Sequence, residues 1–114
     1  EKKVISKQLT SALSLLSQGS NIKTNNIIVA YEPIWAIGSG KSASNKDIYN
    51  THFFIKKKLA TIFKSCKILP KIIYGGSVNN MNSKDILSIE GVDGALVGGA
   101  SLNAKKFIEI CSSI

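Results

Sequence analysis

Glu32 is the side chain of this 114-residue sequence best placed to move a proton, because it ends an apolar run and directly precedes a proline. Ile27, Ile28, Val29, Ala30 and Tyr31 form a continuous β-rich stretch of the kind expected from a strand buried on both faces. Pro33 fixes its own φ and keeps Glu32 out of helical geometry, so the carboxylate is presented from a stiffened strand end. Beyond it, Ile34, Trp35, Ala36 and Ile37 are apolar enough to cover a site. Gly38, Ser39 and Gly40 can supply unusual backbone angles and exposed N–H groups ahead of Lys41. YEPIWAIGSGK, residues 31–41, therefore combines a base with a lid, Pro33 to Lys41, that carries an anion contact.

Two further glycine pairs follow short apolar runs: Gly75-Gly76-Ser77 after Lys71 to Tyr74, and Gly98-Gly99-Ala100-Ser101 after Ala95 to Val97. Each part has a plainer use when taken alone. A glutamate at a strand end is commonly a surface carboxylate, and a Gly-Gly pair is commonly a tight turn. Together, the two loops offer converging N–H groups to a dianion without a cationic side chain. Nothing resembles GxxxxGK[ST], which argues against a nucleotide P-loop. The chemistry that remains is a small phosphorylated ligand, one carboxylate base and a closing cover.

The elements that must hold these groups follow from periodicity. Val4, Ile5, Leu9, Ala12, Leu13 and Leu16 predict an amphipathic helix over Lys2 to Gln18, stopped by Gly19, with a polar linker from Ser20 to Asn26. Asn45 is the expected N-cap of a second helix to about Lys64, with Ile48, His52, Ile55, Leu59 and Ile62 as its stripe. Shorter helices are expected from about Ser83 to Ile89 and from about Ala104 to Cys111. Three times a short strand leads through a glycine-bearing loop into a helix, the pattern of βα units in a parallel sheet. All three loops leave the carboxyl ends of their strands, the face on which such sheets bind ligands.

Composition narrows the class of protein. A hydrophobic content of 44% and a mean hydropathy of +0.11 fit an ordered globular chain. No apolar run reaches the roughly 18 residues needed to span a bilayer, and the N-terminus lacks a signal-peptide layout, so no membrane partner and a cytoplasmic location are expected. The chain starts at Glu1 and enters a helical pattern at once, as a piece of a longer protein would. The net charge of +8 raises nucleic acid as a partner, but all fifteen basic residues are scattered lysines, so none is expected to serve bidentate recognition of bases or phosphates. Lys56, Lys57 and Lys58 fall on a helix, where a solvated face accounts for them. Cys66 and Cys111 form no pair or cluster and are expected to be ordinary reduced thiols. His52 is the single histidine, so no multi-histidine metal site can be built from this chain; its place on an apolar stripe predicts a packed, satisfied ring.

YEPIWAIGSGK, IIYGGSV from Ile72 to Val78 and DGALVGGASL from Asp93 to Leu102 resemble the three signature segments of the triosephosphate isomerase family, in order and at suitable spacing. The resemblance runs from about Ile27 to the C-terminus, with the first helix placed like the fifth helix of that barrel. Ile34 stands where valine is usual and Ser39 where threonine is usual. The resemblance implies an α/β fold, the C-terminal portion of a (βα)8 TIM barrel of about 250 residues. It would comprise the preceding helix (1–18) and the sixth (27–64), seventh (71–89) and eighth (95–112) βα units, with three parallel strands and about four main helices.

The same resemblance implies the site. Glu32 matches the catalytic base that interconverts dihydroxyacetone phosphate and glyceraldehyde 3-phosphate through an enediolate, in glycolysis and gluconeogenesis. Gly38, Ser77, Gly98 and Gly99 match phosphate-binding groups, and Pro33 to Lys41 the lid. No cofactor and no metal are implied, and a homodimer is implied for the complete enzyme. The lysine and histidine that complete such a site come from the N-terminal half, and His52 does not match that histidine, so the chain alone is expected to be inactive. Two alternatives stay open at this point: another phosphate-binding βα-barrel enzyme, which would leave the lid segment unexplained, and a basic nucleic-acid-binding module whose glycine loops are turns.

Overall fold

Each long helix of the chain has one apolar stripe, and those stripes cover one face of a short parallel sheet. The computed structural model describes residues 1–18 and 23–114. Helix α1 (Lys2–Gln18) precedes strand β1 (Ile28–Tyr31), helix α2 (Asn45–Ile62), strand β2 (Lys71–Tyr74), helix α3 (Ser83–Leu87), strand β3 (Gly94–Ala95) and helix α4 (Ala104–Ser112). Short 3-10 turns cover Thr24–Asn26, Ile34–Ala36 and Gly99–Leu102. Gly19, the expected stop of α1, and the first part of the expected linker lie outside the described residues.

The strands lie in the order β1-β2-β3, all parallel, with Tyr31 opposite Tyr74 and Tyr74 opposite Ala95. Hydrogen bonds carry the ladder past the strand ends: Gly75 N–H donates to Tyr31 O at 2.9 Å and Leu96 N–H to Tyr74 O at 2.8 Å. At the amino end of the sheet, Asp93 N–H donates to Ile72 O at 2.8 Å, and the Asp93 carboxylate accepts Ile72 N–H at 2.8 Å. Ile72 is thereby saturated, and the start of β3 is fixed to the centre of β2.

Several boundaries differ from the sequence expectation, each for a local reason. The α2 cap is Ser44, not Asn45: its hydroxyl accepts Asp47 N–H at 3.1 Å while its backbone stays extended. The helix ends at Ile62 because Phe63 leaves helical geometry and turns its ring into the core. α3 closes at Leu87, with Ser88 and Ile89 bonding back in a tight turn. β3 covers Gly94–Ala95 rather than Ala95 to Val97, because β2 turns away after Tyr74 and leaves Val97 without a ladder partner.

β1 also departs from expectation. It is buried on one face only: Tyr31 is buried and Val29 half-buried on the helix side, whereas Ile28 is 64% exposed and Ala30 exposed on the other. Both α1 and α2 lie on the same side of the sheet, so an apolar run that reads as doubly covered is singly covered among the described residues. The core therefore occupies the layer between sheet and helices. Tyr31, Ile72 and Tyr74 meet Leu9 and Leu13 of α1, Ile48, Ile55 and Leu59 of α2, Ile86 of α3 and Ile110 of α4. Along the unpaired edge of β1, a mostly apolar groove of about 710 Å³ opens between that strand and α1.

Candidate active site

The base candidate is positioned by what lies on either side of it. Tyr31 anchors the end of β1: its ring packs edge-on against His52 at 5.8 Å between centroids and its hydroxyl donates to the Glu1 carboxylate. Burial, and then the Glu1 carboxylate, push the Tyr31 hydroxyl well above its ordinary pKa, so it remains a neutral donor. Pro33 is buried at φ −64°, ψ 122°. Glu32, between two anchored residues, is exposed and turned toward the loop after β2. A Cβ built on Gly75 would lie 2.7 Å from Glu32 Cγ, so the glutamate side chain rests directly on the Gly75 backbone.

The lid and the residues just after it are tied at two points to β2 and the loop that follows it. Ser77 Oγ donates to Ala36 O, and Ala43 N–H donates to the hydroxyl oxygen of buried Tyr74 at 2.9 Å. Burial raises the Tyr74 pKa while the Ala43 amide lowers it. Gly76 has no freedom to carry a side chain here, because a Cβ would stand 2.3 Å from the Tyr74 hydroxyl. Between the anchors, Gly38 (φ +66°) and Gly40 (φ +77°) adopt the left-handed conformations expected of a glycine-bearing loop. Ser39 Oγ braces the tip by accepting Lys41 N–H at 3.1 Å. Of the four apolar lid residues only Ala36 is buried. Ile34, Trp35 and Ile37 are exposed, so in this conformation they do not form the cover that their composition suggests.

Glu32, Gly38, Ser77, Gly98 and Gly99, singled out in the sequence from three separate segments, line one cleft of about 340 Å³ at the carboxyl end of the sheet. A Cβ on Gly38, Gly98 or Gly99 would meet nothing within 4 Å, so all three backbones border open space. The Gly98-Gly99 turn is closed by Ser101, whose N–H and hydroxyl both donate to Gly98 O, at 2.9 and 2.6 Å. No lysine or histidine is among the residues lining the cleft. Among the described residues no group of three or more His, Cys, Asp or Glu is arranged to hold a metal.

Sequence inspection misses two supporting residues. Ser77 itself sits at φ 59°, uncommon for a residue with a Cβ. Asn82 holds it there by donating from Nδ2 to Ser77 O at 2.9 Å and accepting Asn79 N–H at 2.8 Å, while Asn79 Oδ1 accepts the Met81 and Asn82 amides. The signal lay in the Asn79-Asn80-Met81-Asn82 cluster, since asparagine side chains mimic backbone turns. His52 lies outside the cleft. It is fully buried beneath the sheet, Nδ1 donating to Gly91 O at 3.0 Å, and burial lowers its pKa. The expected packing is present, but Nε2 is enclosed with no hydrogen-bond partner among the described residues. Cys66 and Cys111 are free and exposed.

Parallel strands flanked by helices, with a cleft made by the loops at the strands' carboxyl ends, define an α/β protein of the βα-barrel class, seen here as a partial barrel. The family model described as Triosephosphate isomerase matches residues 1–114, and the chain belongs to the triosephosphate isomerase family. It is 46% identical over 107 residues to a triosephosphate isomerase of Francisella philomiragia, covering 93% of this chain and 42% of that protein. With the one from Dehalococcoides mccartyi it shares 49% identity over 94 residues, 81% of this chain and 37% of that protein. With that of Ruthia magnifica it shares 39% over 112 residues, 98% of this chain and 44% of that protein. The chain thus spans about two fifths of the length of these curated relatives.

Proposed function

We propose that this chain supplies the base, the lid and the phosphate grip of a triosephosphate isomerase, as the C-terminal part of its barrel. The observation that carries this reading is the convergence of Glu32 with Gly38, Ser77, Gly98 and Gly99 on one cleft. Glu32 takes a proton from the carbon beside the carbonyl of dihydroxyacetone phosphate. The electron pair moves onto the carbonyl oxygen, and the enediolate is reprotonated on the neighbouring carbon to give glyceraldehyde 3-phosphate. The backbone N–H groups of Gly38, Ser77 and the Gly98-Gly99 turn face the phosphate as preorganised donors, which stabilise an anion without a cationic side chain. Segment 33–41 closes over the site, removes water from the carboxylate and raises its proton affinity. It also shields the enediolate from losing its phosphate.

Two roles have no candidate in the cleft: a cation for the substrate's charge and an electrophile for its carbonyl oxygen. In this proposal both come from an N-terminal half of the barrel, which also covers the bare face of the sheet. The complete enzyme is a cytoplasmic homodimer of glycolysis and gluconeogenesis, and the chain alone is inactive. No described helix is long and apolar enough to cross a membrane. The test is an isomerase assay on the purified chain with and without a complementary N-terminal half. Activity that appears only on mixing supports the division of labour; substantial turnover by the chain alone would overturn it.

A further inference from the structure

His52 is the only histidine of the chain and serves nothing in the cleft, yet it occupies the junction of four elements. It projects from the inner stripe of α2 and is fully buried. Its Nδ1–H is held by the carbonyl of Gly91, 3.0 Å away, in the turn between α3 and β3. That turn depends on Gly91 at φ +90°, and two residues later Asp93 makes the paired bonds that fix β3 to Ile72 of β2. On its other sides the imidazole meets Tyr31 at the end of β1, edge-on at 5.8 Å, and Tyr74 of β2 at 6.3 Å.

We infer that His52 is an acid-sensitive pin: as a neutral imidazole it holds the turn that launches β3 against α2, and a proton on its enclosed Nε2 makes that buried position unfavourable. The Nδ1–H tautomer satisfies Gly91 O, while Nε2 stays unprotonated in an enclosed space where no described residue offers it a partner. A proton there would create both a buried charge and a donor with no acceptor, each costly in an apolar layer. The ionisable groups facing the ring are few. Tyr31 and Tyr74 remain neutral, their hydroxyls raised by burial; Glu1, just ahead of α1, is engaged by Tyr31; and Asp93 favours the charged ring, while its carboxylate is committed to Ile72 N–H. Burial outweighs the Gly91 carbonyl and Asp93, both of which favour the charged ring, so the folded ring titrates below its usual 6.5.

The sign follows from proton binding. Between the lowered folded pKa and 6.5 the unfolded chain binds the extra proton and the folded chain does not, so stability falls as pH drops through that window. Above 6.5 the pin is fully set. The effect is separable, because His52 is the only histidine of the chain. The Gly98-Gly99 turn lies at the far end of β3, so opening the pin also loosens the cleft; the inference stands whatever reaction the cleft performs.

Imidazole nitrogen NMR on the intact chain, thermal unfolding from pH 7 to 5, and amide exchange corrected for its intrinsic pH dependence would test it. The expected results are the Nδ1–H tautomer, a titration midpoint below 6.5, and a melting temperature that falls by about 5 °C for each unit of pKa depression. The Asp93 amide should lose protection in step. His52→Asn keeps a donor near the Nδ1 position and carries no titrating group, so its melting temperature should stay flat over the same window. A wild-type midpoint at or above 6.5, or an Asn variant as acid-sensitive as the wild type, would overturn the inference. If that variant fails to fold, the wild-type titration decides alone.

Discussion

Gly75 has no side chain because Glu32 occupies the place where one would go, and that contact explains how an exposed carboxylate keeps a fixed position. A base held by packing against a backbone has a defined reach, so its length matters more than its charge. Glu32→Asp in the complemented enzyme should lower kcat on the order of 10²-fold with little change in KM, since the shorter chain withdraws the carboxylate by about 1 Å. Steady-state kinetics with an unchanged kcat would remove Glu32 from the role of base. At this scale the sequence was most legible where chemistry dictates residue type: the carboxylate before a proline and the glycines that border the cleft. It was least legible where a residue goes against its own preference. Nothing in a serine announces φ 59°, and the Asn82 bond that holds Ser77 there appears only once the loop is folded.

Among the elements, the lid depends on β2 as much as on β1. Ala36 is tied to Ser77 and Ala43 to Tyr74, so both tethers end in the strand and loop that also support Glu32. Tyr74→Phe leaves the Ala43 amide buried without its acceptor and should destabilise the chain by about 1–3 kcal/mol. Denaturant unfolding would measure this. In the complemented enzyme the same substitution should weaken retention of a phosphate ligand, since one end of the lid is released; unchanged affinity and stability would show the tether to be idle. Helices were readable to within a residue or two because their 3.6-residue stripes are long, as in Ile48, His52, Ile55 and Leu59. The cap was displaced by one position because Ser44 and Asn45 are both good caps, and only the extended backbone of Ser44 chooses between them. The two-residue β3 was misplaced because its length is set by where β2 turns, which is not local information.

For the molecule as a whole, the sheet has, among the described residues, two unpaired edges and one bare face, and Ile28 at 64% exposure marks where that face begins. The chain by itself should therefore self-associate as concentration rises. Sedimentation velocity should show species larger than a monomer, and a complementary half-barrel should suppress them; a strictly monomeric chain at all concentrations would contradict this account. The alternation of short strands, glycine loops and helices revealed the parallel architecture, but an apolar strand reads the same whether one or both of its faces are covered. The strand order has one more consequence. Because β2 stands between β1 and β3, the backbones at the carboxyl ends of β1 and β3 are held two inter-strand spacings apart, about 10 Å. The hydrogen-bond ladder thus sets the width of the cleft floor, and Glu32, leaning inward over Gly75, narrows it.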